Sequence, residues 1–121
     1  FKDDLREQEF RAAADAGVTT LATVFHTCHR EICHFEGTVS FEIVNVMDLL
    51  GESMGLKADD IYKRLKMMDE VEAMITDCAD LIQSYGLDVN EARDVLLADQ
   101  LAAKPIQGAI VERIPGLHAA E

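Results

Sequence analysis

Nine consecutive residues, His26-Thr27-Cys28-His29-Arg30-Glu31-Ile32-Cys33-His34, hold three of the four histidines and two of the three cysteines of the chain. Imidazole and thiolate both bind soft and borderline metals. The run follows Thr19–Phe25 (TTLATVF), an uncharged segment rich in Thr, Val and Leu that reads as a strand buried on both faces. The cluster is therefore expected where a strand hands over to a helix. In open α/β sheets, ligands occupy the crevice beyond the carboxyl ends of the strands. The positive end of a helix dipole there favours thiolate over thiol. If the helix starts near Cys28, His29 and Cys33 lie at i and i+4 and share one face, able to hold one metal. Cys28 and Ile32 face another side, with Ile32 packed inward. His26 precedes the helix and approaches the Cys28 site. Two or three of these groups converge, not five. Cys28, His26, His29 and Cys33 are thus the candidate metal ligands. The plainer alternative makes both cysteines small buried residues and the histidines surface or hydrogen-bonded groups.

Other chemistry finds little support. There is no phosphate loop, GxGxxG, GxSxG or HExxH. No CxxC occurs, and no second ligand pair follows at zinc-finger spacing. A thiol nucleophile made of Cys28 with His26 or His29 lacks a third group to orient the base. Cys78 reads as a core residue of a long helix and His118 as a solvated residue of the tail. Met47, Met54, Met67, Met68 and Met74 recur at helical spacing and read as core filler. Lys57, Lys63, Arg64 and Lys66 read as a solvated positive patch.

The elements that must position the cluster follow from periodicity. Residues 1–17 read as an acidic amphipathic helix with Leu5, Phe10, Ala13 and Ala14 on one face and Gly17 as its stop. A second strand is expected over about 40–46, with Phe41, Ile43 and Asn45 pointing one way and Glu42 and Val44 the other. A short helix over Met47–Gly55 comes next. Helix, strand, short helix, strand, helix is an α/β half-unit with parallel strands. Two strands alone make a poor sheet, so strands from an N-terminal continuation or a partner are expected to complete it. Apolar residues at steps of 3, 4 or 7 from Ile61 to Tyr85 predict one long helix over about 60–85, capped by Asp59 and ended by Gly86. Asp88 with Glu91 predicts a capping box for a helix over about 89–102. Pro105 ends the pattern. The expected division is an α/β part over 1–56, a helical extension packed on it over 57–104 and a surface arm over 105–121.

Size and charge limit the function. With 121 residues the chain fits one domain and can bury roughly two-thirds of its unfolded surface. Its 23 acids against 11 bases leave a net charge of −12. Phosphate repulsion argues against nucleic acid and anionic membrane surfaces as partners. No apolar run approaches the roughly 18 residues of a membrane span. An odd number of cysteines in a chain of this size points to a reducing, cytoplasmic compartment rather than a disulfide framework. A start at Phe1 rather than Met points to processing or to a piece of something longer.

The stretch from about Arg11 to Leu56 resembles the final part of the cysteine-rich CCG domain of heterodisulfide reductase-like iron–sulfur oxidoreductases. That domain also occurs in the iron–sulfur subunits of glycolate, lactate and glycerol-3-phosphate dehydrogenases. The matching residues are AAADAGVTTLATVFHTCHREI and NVMDLLGESMGL, in particular Cys28-His29-Arg30-Glu31-Ile32 and Met47-Asp48-Leu49-Leu50. The resemblance implies a Rossmann-like α/β layer and an iron–sulfur cluster at the carboxyl ends of its strands. Cys28 matches the second Cys of the family's CxxC. Phe25 stands where the first would be, with His26 beside it as a substitute, and the CCG motif itself is missing. Arg30 and the first-turn N–H groups would then face the cluster sulfurs. The implied function is an electron-transfer module, with other subunits or an N-terminal part of the same redox protein supplying the remaining ligands. A non-catalytic acidic interaction subunit, or a small zinc site using His29 and Cys33, are the alternatives.

Overall fold

The computed structural model describes residues 1–101, which fall into two units, Phe1–Asp60 and 61–101. The first unit is a small α/β arrangement. Helix α1 (Lys2–Asp15) is followed by strand β1 (Thr20–Thr23), helix α2 (His26–Ile32), a 3-10 segment (Cys33–Thr38), strand β2 (Glu42–Asn45) and helix α3 (Val46–Ser53). Gly17 ends the first helix at φ 65°, a conformation that costs glycine least. Asn45 accepts from the Met47 amide at 3.0 Å and caps α3.

The two strands pair in parallel, Thr20 with Glu42 through Thr23 with Asn45. Both are shorter than the sequence predicts over 19–25 and 40–46. The expected alternation holds over 41–43, where Phe41 and Ile43 are buried and Glu42 is exposed, but Val44 and Asn45 are both half-buried. Burial of β1 on both faces does not. Ala22, Val24 and Phe25 are exposed, and within Thr20–Thr23 only Thr23 is buried. The apolar run marks a sheet covered on one face, not two.

The core of this unit is an aromatic cluster. Phe10 of α1 meets Phe35 and Phe41 edge to face, with ring centroids 5.4 and 6.0 Å apart. The predicted apolar face of α1 is thus realised at Phe10 and Ala13, while Leu5 is exposed. Arg6 is buried as well. Its guanidinium lies 5.2 Å from the Phe35 ring centroid and pairs with Asp3 at 3.2 Å and Glu31 at 3.6 Å. A buried cation is tolerable only with such partners. His34 is not a surface residue as the plainer reading expects. It is buried, its ring centroid 4.2 Å from that of Phe35.

The second unit contains helices α4 (Ile61–Lys66), α5 (Val71–Asp77), α6 (Ala79–Ser84) and α7 (Val89–Leu96), then a π-turn over Leu97–Leu101. The single helix predicted over 60–85 is therefore three. Its apolar spacing is nevertheless used: Leu65, Met74, Cys78 and Ile82 form one core, with Ile61, Met68, Ile75 and Leu96 packed against it. Gly86 stops α6 at φ 62°, and the Asp88 carboxylate accepts from the Asn90 and Glu91 amides, which is the Asp88 half of the expected capping box. Met74 is core filler, but Met47, Met54 and Met67 are exposed. Lys66 does not belong to a solvated patch; it is buried and donates to the Asp99 carbonyl at 2.8 Å. Arg93 donates to Glu72 at 2.6 Å across α5 and α7, and that hydrogen bond holds the Glu72 carboxyl below its ordinary range. Among the described residues, no helix is long and apolar enough to cross a membrane. The surface arm predicted over 105–121, His118 and the last residue of the 89–102 helix lie outside the described residues.

Candidate functional site

The end of β1 and the start of α2 bring the candidate residues into view. Phe25 is extended, at φ −89° and ψ 140°, and α2 begins at His26. The helix therefore starts two residues before the expected position, and His26 belongs to its first turn. His29, Ile32 and Cys33 are buried; His26, Cys28 and Arg30 are exposed.

His29 is held from both sides. Its Nδ1 lies 3.2 Å from Thr23 Oγ1, and its Nε2 lies 2.6 Å from Asp60 Oδ2. Thr23 spends its one hydroxyl proton on the Val44 carbonyl, 3.1 Å away. Its oxygen is then an acceptor, so Nδ1 carries a proton and donates. A bare Nε2 against a carboxylate would set lone pair against lone pair. The 2.6 Å contact thus holds a proton on one partner or the other. Thr23, His29 and Asp60 form a continuous chain from the sheet to the end of the unit. Neither ring nitrogen has a lone pair left for a metal in this arrangement.

The other candidates are not gathered around His29. Cys33 is completely buried at the head of the 3-10 segment. Among the described residues, no three His, Cys, Asp or Glu side chains are placed to share a metal ion. Cys28 alone of the three cysteines is exposed, contrary to the reading of it as a small buried residue. Cys78 is buried, as expected for a core residue. Burial pushes its thiol up, the Asp77 carboxylate adds to the rise and Arg64 opposes it.

Cys28 lines an open cleft of about 610 Å³ between α1, the end of β1 and α2. Leu5, Val24, Phe25 and Ile32 supply apolar wall, and Arg6, Glu9 and Glu31 supply charge. Arg30 is not part of that wall. Residues two apart on a helix point in different directions, so Arg30 and Cys28 cannot both face the cleft. The group three residues on from Cys28, Glu31, does.

Three residues of this site escape sequence reading. Asp60 reads as the start of a helix and Thr23 as an ordinary strand residue, and Arg6 carries no role in the sequence reading. Each acquires its role from a partner distant in sequence, as Asp60 does from His29, 31 residues away. The sequence matches no protein-family model, and comparison with curated proteins and with solved structures found no match.

Proposed function

We propose that the chain is a non-catalytic acidic interaction subunit of a larger complex, and that it docks through the cleft beside Cys28. One observation carries this reading. Val24 and Phe25, just past the end of β1, are 68% and 72% exposed beside an exposed thiol. Contiguous exposed apolar surface in a polar setting marks a contact site. The two-stranded parallel sheet supports the same view. Read as half of a Rossmann-like layer, it needs further strands, which other subunits would bring. The net charge of −12 directs this chain toward proteins rather than nucleic acid.

A short thiol-reactive photo-crosslinker on Cys28 tests the proposal. Cys33 and Cys78 are buried, so attachment is selective. In extract of the source cells, a discrete higher-mass adduct is expected. Phe25→Ser should reduce its yield at least fivefold without changing the melting temperature. No adduct, or an adduct indifferent to Phe25→Ser, would defeat the docking role.

A second reading is an iron–sulfur electron-transfer module, favoured by the accessibility of Cys28. The donors of this chain do not by themselves fit a cluster. Four thiolates are the usual requirement, and Cys33 and Cys78 lie in the cores of different units. Cys28 would be one ligand of a centre completed by other chains. Cys28→Ser should then lower the iron content and visible absorbance of the complex purified anaerobically, and an unchanged spectrum would remove this reading. A zinc site on His29 and Cys33 draws no support from the geometry, because both His29 nitrogens are committed to hydrogen bonds.

A further inference from the structure

The two edges of the sheet are treated differently. The Glu42 amide donates to the Thr19 carbonyl, and Thr20 is in register with Glu42. In a parallel ladder this turns the backbone groups of Thr19, Leu21 and Thr23 toward β2. Those of Thr20 and Ala22 point the opposite way, and among the described residues no strand lies on that side. The outer edge of β2 is stopped: the Glu36 carboxylate accepts from the Ile43 amide at 2.7 Å. Among the described residues, no side chain or strand stops the outer edge of β1 in this way. From Ala16 to His29 there is no Asp, Glu, Lys, Arg or Pro. Soluble proteins blunt edge strands with charge, proline or cover, because a bare edge templates pairing.

We infer that the free edge of β1, at Thr20 and Ala22, accepts an extended strand from a partner protein, apolar in its middle and basic at its ends. This rests on the docking reading above and specifies its mode. Main-chain ladder bonds supply the affinity of such strand addition, and pockets for alternate side chains supply its selectivity. The charges select the partner. Ala22 lies in the wall of the Cys28 cleft, where Glu9 is exposed and Glu31 is paired with Arg6. Glu42, exposed, stands beside Thr20 in register. The basic group of the cleft wall, Arg6, is buried and already paired with Asp3 and Glu31. The margins are therefore acidic around an uncharged ladder. A second copy would bring the same acids and twelve further negative charges.

The full chain, labelled with ¹⁵N, is titrated with a capped peptide of alternating valine and threonine carrying two lysines at each end. Exchange of the Ala22 amide should slow at least tenfold at saturation, while that of Ile43, already bonded to Glu36, stays the same. The same peptide N-methylated at alternate residues should give no protection, and neither should a glutamate-ended peptide. Ala22→Pro, which removes the outward N–H without touching the β2 ladder, should abolish binding with the circular-dichroism spectrum unchanged. Several results would overturn the inference: no binding, binding without Ala22 protection, equal binding of the N-methylated or acidic peptide, or protection that rises with protein concentration alone. A Cys28 cross-link that persists without Ala22 protection fails strand addition only. Ala22 protection by peptide with no cellular cross-link fails the docking role only.

Discussion

Phe35→Ala is expected to destabilise the first unit by about 3–5 kcal/mol, the range for emptying a buried aromatic site. Phe35 is completely buried, and its ring is shared by three neighbours: Phe10 at 5.4 Å, His34 at 4.2 Å and the Arg6 guanidinium at 5.2 Å. Alanine removes the ring contacts with α1 and with His34 at once and leaves Arg6 buried over a void. A whole domain is stable by about 5–15 kcal/mol, so this one change is a large fraction of the total. Urea unfolding followed by amide exchange at Ile43 reports the first unit selectively. Phe35→Leu, which keeps most of the volume, should cost less than half as much. A loss below about 1 kcal/mol for the alanine variant would mean that the aromatic cluster does not hold α1 to the sheet.

The second large effect is expected at Asp60. Asp60→Ala should cost roughly 1.5–3 kcal/mol, the range for stranding a buried partner of a charge-assisted hydrogen bond. His29 is 4% exposed, so water cannot replace the carboxylate at Nε2. Asp60 itself is partly exposed, and the opposite deletion is milder on that side because the freed carboxylate can solvate. Asp60→Asn retains an acceptor and should recover about half of the loss. The double variant Asp60→Ala/His29→Phe should be more stable than the sum of the single changes implies, since no unpaired group remains. Additive losses, or a silent Asp60→Ala, would show that the 2.6 Å contact carries no stability.

The parts of the fold legible in the sequence are those set by short-range pattern. Gly17, Gly86 and the Asp88 cap act within a few residues, and the alternation over 41–43 records a single buried face. The breaks between α4, α5 and α6 escape notice for a physical reason. Periodicity reports which residues share a core, and Leu65, Met74, Cys78 and Ile82 share one whether the helix is continuous or bent. No proline or glycine lies between Ile61 and Tyr85 to announce the turn. The candidate site divides in the same way. Helical spacing pairs His29 with Cys33, and both are buried. The partners that claim His29 come from β1 and from Asp60, and pairing over that distance leaves no local trace. The start of α2, two residues earlier than expected, is a boundary finer than residue preferences resolve.

The bare margin of β1 also bears on handling the purified material. Colloidal repulsion from the surplus of carboxylates keeps copies apart near neutral pH. Acidification toward the isoelectric point, near 4.6, discharges that repulsion while leaving the uncharged ribbon from Ala16 to Phe25 as sticky as before. Precipitation of an ordered, strand-on-strand kind is the hazard of any acidic purification step, and a single lysine at Val24 is the economical remedy.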